Sequence, residues 1–143
     1  MSRMMSRTGQ CSCGALRIEA EGEPASVVIC HCSDCQRRTG SVLGVGAYFA
    51  ADKVKASGPA KSFTRKGRSG GTLTQYFCPD CGTALYWEAA LRPGLVGVAV
   101  GGFGGAQFPL PTRSVFEENK HGWVTLGADI PGHVQGSTSK ATR

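Results

Sequence analysis

Long apolar runs are missing from this 143-residue chain. The longest, around Leu95 to Phe103, is short and interrupted by glycine, too little to span a bilayer, so no membrane role is expected. The opening Met1-Ser2-Arg3-Met4-Met5-Ser6-Arg7 lacks the apolar stretch of a secretory leader, which makes a cytoplasmic protein the expectation. Helical periodicity is scarce as well. A turn or two after Cys32 and a short turn near Ala51 to Val54 are the only helical expectations, which argues against helix bundles and βαβ architectures. Nucleotide-binding fingerprints are absent: Gly101-Gly102-Phe103-Gly104-Gly105 has no helix signal behind it. Gly67-Arg68-Ser69-Gly70-Gly71 has the spacing of a hydrolase nucleophile elbow, but a strand-like segment follows where that motif needs a helix. It reads as a glycine-rich turn.

What is present is a period of two. Leu16, Ile18 and Ala20 alternate with Arg17 and Glu19, and Leu73, Gln75 and Phe77 alternate with Thr72, Thr74 and Tyr76. Val96, Val98 and Val100 form a third such face. Further strand candidates are Ser26 to Cys30, Val45 to Phe49, Thr83 to Trp87, Thr112 to Phe116 and Trp123 to Leu126. With 21 glycines marking turns between short strands, the pattern predicts one mainly β domain, long enough to bury a core. The expected divisions are a disordered tail over 1–9, the domain over 10–131 and a flexible, small-polar tail over 132–143.

Seven cysteines fall into three clusters: Cys11-Ser12-Cys13-Gly14, Cys30-His31-Cys32-Ser33-Asp34-Cys35 and Cys78-Pro79-Asp80-Cys81-Gly82. An odd count in a reducing compartment points to metal ligands or catalytic thiols in place of disulfides. Cys13 and Cys81 are each followed by glycine, and Cys35 is not. Glycine there lets the chain turn through positive φ and aim its amides at the sulfurs, which pairs the first cluster with the last. Cys11, Cys13, Cys78 and Cys81 are therefore expected to share one structural zinc, and Cys11 and Cys13, two apart in an extended segment, face the same side. Cys30, Cys32 and Cys35 supply three thiolates and leave one position open on a second zinc. In a closed alternative, His121, His133 or another side chain completes that site. Alternation aims His31 away from its flanking sulfurs. Three sulfur donors make the ion a weak Lewis acid, poor at generating hydroxide and suited to accepting a substrate thiolate. The glutamate and P-C-x-x-C pair of zinc deaminases are absent.

Cys11-x-Cys13-Gly14, then Cys30-His31-Cys32-x-x-Cys35-Gln36-Arg37-Arg38-Thr39-Gly40-Ser41, then Phe77-Cys78-x-x-Cys81-Gly82-Thr83-x-Leu85 resemble the glutathione-dependent formaldehyde-activating enzyme family, whose domain also occurs in centromere protein V. The resemblance runs from about Thr8 to about Pro131. It implies a β-tent of paired antiparallel sheets stapled by zinc. By motif matching it implies that Cys11, Cys13, Cys78 and Cys81 hold a structural zinc and that Cys30, Cys32 and Cys35 hold a catalytic one. The implied activity is carbon–sulfur bond formation between glutathione and formaldehyde, giving S-(hydroxymethyl)glutathione. The expected partners are then a small-molecule thiol and an aldehyde.

Asp34 and His31 are the nearest titratable candidates for moving the proton, and Arg37 and Arg38 are candidates for pairing with glutathione carboxylates. Lys53, Lys55, Lys61, Arg65, Lys66 and Arg68 crowd one region of a chain with formal charge +6. Seven metal-bound thiolates lower that charge by about three, which argues against a nucleic-acid partner. A solvated loop face is the expected role of this region, and the alternative is a counter-charge for a small acidic substrate or a polyanion. The competing function is a non-catalytic zinc module that binds a protein or polyanion through it. Trp87, Trp123, Phe103 and Phe116 could line a pocket, with core packing the default reading.

Overall fold

In a computed structural model, which describes residues 5–143, the alternating segments become ten strands in two sheets. β1 (Ser6–Gln10), β2 (Arg17–Glu21) and β5 (Val54–Ser57) form a three-stranded sheet in the order β1-β2-β5. The other strands are β3 (Ser26–Cys30), β4 (Gly44–Ala50), β6 (Lys61–Lys66), β7 (Thr72–Phe77), β8 (Ala84–Ala89), β9 (Leu95–Ala99) and β10 (Arg113–Val115). They form a seven-stranded sheet in the order β10-β3-β4-β9-β8-β7-β6. All pairings are antiparallel except β10 with β3. One short α-helix, α1 (Ser33–Thr39), follows the second cysteine cluster. The fold is mainly β, as expected. Among the described residues no helix is long and apolar enough to cross a membrane.

Period two sorts the side chains between faces. Leu16, Ile18 and Ala20 are buried, whereas Arg17, Glu19 and Glu21 are exposed. They meet Val27 of β3, Ala47 and Phe49 of β4 and Val98 of β9 in one apolar core that also takes in Cys11, Cys78 and Leu85. Burying a Leu or Phe side chain stabilises by about 1.5–3 kcal/mol, enough to fix the register of strands this short. The β7–β8 register skips a residue between Tyr76↔Tyr86 and Phe77↔Ala84, and Leu85, at the skip, enters the core. The other face of the large sheet presents Val28, Cys30, Gly44, Gly46, Tyr48 and Trp87 to a cavity.

Several expectations are corrected. The 1–9 tail is structured from Ser6, because β1 pairs along its length with β2; its polar side chains hide a contribution made through the backbone. Met1 to Met4, the rest of that expected tail, lie outside the described residues. The 132–143 segment is docked and not free: Ser114 bridges to Gly132, His133 bridges to Ala141, and Arg143 Nη1 lies 2.8 Å from Glu117 Oε1. Trp123 to Leu126 is not a strand; Val124 N–H closes a turn on the His121 carbonyl, and Trp123 is exposed. Lys61–Lys66, read as part of a loop, is an edge strand whose two lysines face solvent while Arg65 turns onto Asp34.

Candidate metal centres and their cavity

The first and last cysteine clusters occupy two turns, one joining β1 to β2 and one joining β7 to β8, and so bridge the two sheets. The Sγ atoms of Cys11, Cys13, Cys78 and Cys81 lie within 4.8 Å of one another. Cys13 Sγ is 3.6 Å from Cys11 Sγ and 3.7 Å from Cys78 Sγ. Sulfurs on a tetrahedral zinc stand about 3.8 Å apart, so the spacing fits that ion. The two turns match each other. Gly14 (φ 81°) and Gly82 (φ 80°) are both left-handed, and their N–H groups donate to the carbonyls of Cys11 and Cys78 at 3.1 and 2.8 Å. Leu16 N–H donates to Cys11 Sγ, and the Thr83 hydroxyl beside Cys81 holds that thiol down at about 5. Thr83 Oγ1 also bonds Ser12 N and Ser12 Oγ, tying one turn to the other.

The middle cluster is built differently. Cys30 ends β3, and Cys32 caps α1, its Sγ accepting from Cys35 N–H at 3.3 Å. The helix stops at Gly40, in the left-handed region at φ 72°. Cys30, Cys32 and Cys35 present three sulfurs within 4.8 Å, and among the described residues no histidine or carboxylate joins them. Hydrogen bonds from Cys30 and Cys35 pull the Cys32 thiol down to about 2, while the same hydrogen bonding to Cys32 and Cys35, with burial, pushes Cys30 up. Three thiolates gathered this closely repel one another, and a cation among them relieves that repulsion. His121 is engaged by Gln36 Oε1 at 3.2 Å and His133 by the Ser139 carbonyl at 3.2 Å, and neither joins the cluster. The two groups could each hold a metal ion, and their donor sets are consistent with zinc.

A cavity of about 160 Å³ opens beside the three-thiol group. Trp87 and Tyr48 form one wall, Leu73 and Leu91 another, and Phe116 stands at the side. Trp87 lies over Gly46 and Gly97: a Cβ on Gly46 would come to 2.5 Å from the indole, and one on Gly97 closer still, at Nε1. Its Nε1–H donates to Tyr48 Oη at 3.2 Å. Burial raises the Tyr48 phenol, which keeps it protonated at neutral pH. Phe116 is the only non-glycine residue among those described with positive φ, 55°, held by its N–H bond to the Gln135 carbonyl.

The proton candidates read from the sequence stand elsewhere. His31 is fully buried, its Nε2 2.9 Å from Ser114 Oγ, and it is not part of the cavity wall. Asp34 lies 3.2 Å from Arg65 Nη1 and 3.4 Å from Arg68 Nε, and Arg68 also bonds Ser33 Oγ. These contacts latch the Gly67–Gly71 hairpin tip onto α1 and draw Arg65 out of the expected solvated face, while Arg68 stays half exposed. Arg37 is exposed, whereas Arg38 lies over Trp87 with its Cζ 4.4 Å from the ring centroid. Of the aromatics read as core or pocket residues, Trp87 and Phe116 line the cavity; Tyr48 and Arg92 carry no local sequence signal because no motif surrounds them.

The sequence profile of a family described as glutathione-dependent formaldehyde-activating enzyme matches residues 6–119. The chain belongs to that family. The match begins at β1, inside the expected tail, and ends before the docked C-terminal segment. A similar fold is seen in a solved crystal structure of a Rhodobacter sphaeroides protein from a structural genomics programme. That protein is 24% identical, with a TM-score of 0.55, covering 70% of this chain and 90% of its own. At that identity the likeness speaks for the fold alone. No curated protein matches the sequence. Family membership supports formaldehyde activation with glutathione at the level of the family.

Proposed function

We propose that the chain is a zinc-dependent carbon–sulfur lyase that adds a glutathione-like thiol to a small aldehyde such as formaldehyde, giving an S-hydroxymethyl adduct. The supporting observation is the difference between the two thiol groups. Four thiols complete a tetrahedral shell, whereas Cys30, Cys32 and Cys35 are three, and all three line a cavity. Zinc held there supplies a soft open position that keeps an incoming sulfur in its nucleophilic thiolate form.

The chain's own residues account for the rest. Trp87, Leu73, Leu91 and Phe116 give the cavity an apolar lining. Attack of the thiolate sulfur on the carbonyl carbon forms the C–S bond and moves the C=O π pair onto oxygen, which then needs a proton. We assign that role to Tyr48, which lines the cavity: its oxygen accepts from Trp87, which leaves its own O–H free to donate, and burial keeps the phenol protonated. The proton lost by the entering thiol restores the phenol through water, so the step balances. The competing reading, a non-catalytic module binding a polyanion through a basic face, draws less support because Arg65 and Arg68 are turned onto Asp34.

Metal content and turnover test the proposal together. Protein purified anaerobically without chelator should carry about two zinc ions per chain, and Cys11→Ser and Cys32→Ser should each lose one. Cys11→Ser should unfold at lower denaturant, whereas Cys32→Ser should keep its circular dichroism and lose turnover. Turnover is read by NMR exchange between labelled formaldehyde and S-(hydroxymethyl)glutathione. Exchange no faster with the protein than without it would sink the lyase reading.

A further inference from the structure

Four arginines line the cavity, and they are in two different electrostatic situations. Arg65 and Arg68 share the Asp34 carboxylate. Arg38 and Arg92 form no ion pair among the described residues. Each instead lies over an aromatic ring, Arg38 at 4.4 Å from the Trp87 centroid and Arg92 at 4.8 Å from that of Tyr48. The two rings are themselves locked edge to face at 6.3 Å and joined by the Trp87 Nε1–H to Tyr48 Oη bond. One rigid aromatic pair, seated on Gly46 and Gly97, therefore sets the positions of both guanidiniums.

A guanidinium stacked by its face keeps its N–H fork at the edge, the geometry that grips a carboxylate with two parallel hydrogen bonds. Stacking also pre-pays the ordering of a long side chain, so less is lost when the bond forms. Two uncompensated cations on an otherwise largely apolar wall leave a deficit of negative charge that a ligand can fill. Arg38 shares helix α1 with Cys35, and it also lines a second cavity toward Cys81 and Thr83. Arg92 has no comparable neighbour given by the fold.

We infer that Arg38 and Arg92 form a carboxylate-recognition shelf, and that this chain selects a carboxylate-bearing substrate over a neutral one of the same reactivity. The inference rests on the lyase reading for the identity of the reacting groups. The carboxylate can belong to the thiol or to the aldehyde, and the test separates the two sources.

S-methylglutathione, which has both carboxylates and no reactive sulfur, is titrated calorimetrically into the metal-loaded protein, with its dimethyl ester as control. The acid should bind in a salt-sensitive manner, and Arg38→Met and Arg92→Met should each weaken it by about 10- to 100-fold, the range of a charged hydrogen bond. The ester should not distinguish wild type from variants. In turnover, a thiol-borne carboxylate predicts that the preference for glutathione over 2-mercaptoethanol, both with formaldehyde, collapses about tenfold or more in the variants. An aldehyde-borne carboxylate predicts the same collapse for glyoxylate over formaldehyde, both with 2-mercaptoethanol. The shelf is overturned if neither S-methylglutathione nor glyoxylate responds to either arginine, or if charged and neutral substrates lose equally. Binding that obeys these rules in a protein without turnover would overturn the lyase reading and leave the shelf standing. Either variant alone suffices should the other fail to fold.

Discussion

Gly97→Ala offers a direct test of how the cavity wall is built. Gly97 lies opposite Trp87 on β8 and opposite Tyr48 on β4, and the indole crosses directly over it. An added methyl would sit 2.5 Å from Cε2, 2.9 Å from Cδ1 and closer still to Nε1. Carbon atoms prefer about 3.5–4.0 Å, so the ring must retreat by roughly an ångström. It has little room, being 5% exposed, under Arg38 and bonded to Tyr48. Overpacking of this kind costs about 1–3 kcal/mol, and a weakened Nε1–H bond adds about 1. Replacing glycine where φ is ordinary returns about 0.4–1 kcal/mol by narrowing the unfolded ensemble. The net expectation is a loss of about 2 kcal/mol, or roughly 4–8 °C in Tm for a chain of this size. Urea titration followed by tryptophan emission measures it. Gly122→Ala is the matched control, because a Cβ there meets nothing within 4 Å, and it should stay within about 0.5 kcal/mol of wild type. In a Trp87→Leu background the Gly97→Ala penalty should largely vanish, since the clash partner is gone. If Gly97→Ala is as mild as Gly122→Ala, the indole does not rest on that strand as described.

Burial pushes the Glu117 carboxyl up, but hydrogen bonds from Ser114, Thr142 and Arg143 outweigh it and hold the group at about 2, below its ordinary 4.5. A depressed carboxylate stabilises the fold above its ordinary value and loses that contribution as pH falls from about 4.5 through 2. Glu117→Gln should therefore be less stable than wild type by about 1–2 kcal/mol at pH 7, after discounting for the partly exposed Arg143, with the gap closing in acid. A gap of constant size from pH 7 to pH 3, read by urea midpoints, would contradict that linkage. Tyr48→Phe should keep the fold and lower kcat by about 10²-fold or more; an unchanged kcat would remove Tyr48 as proton donor. Asp34→Asn should leave global stability within about 1 kcal/mol yet speed amide exchange across Gly67–Gly71, because it releases two arginines from the hairpin latch.

The parts of the molecule legible in sequence are those with a local signature. Ile18 and Ala20 on β2, and the apolar run that became β3, announce themselves because burial enforces alternation or continuity. The left-handed glycines at 14 and 82 follow from cysteine pairs that need their turns closed. Segments held by distant partners leave no such trace. β1 is polar and exists because β2 offers it an edge, and the 132–143 segment docks because Glu117 awaits Arg143 and Thr142. Trp87 looked like any core aromatic, because its role depends on Gly46, Gly97 and Tyr48, which come together only when three strands align. The charged run at Lys61–Lys66 resembled a loop for the opposite reason: an edge strand exposes most of its side chains.

The four-thiol group has a consequence for how the chain is made. Cys13 and Cys78 are 65 residues apart, so an emerging polypeptide must expose about half its length before the second pair of thiols is available to the first. Closing a loop of that size costs about 4 kcal/mol of chain entropy, which metal binding can offset and isolated turn contacts cannot. In the proposed zinc form the ion adds to the apolar packing and the Thr83–Ser12 hydrogen bonds that hold the three-stranded sheet, and a chain without it would offer the stripe of Leu16, Ile18 and Ala20 more readily to chaperones and proteases. Scarcity of metal in the growth medium should then reduce how much intact protein accumulates, making metal supply a control on abundance before it is a control on chemistry.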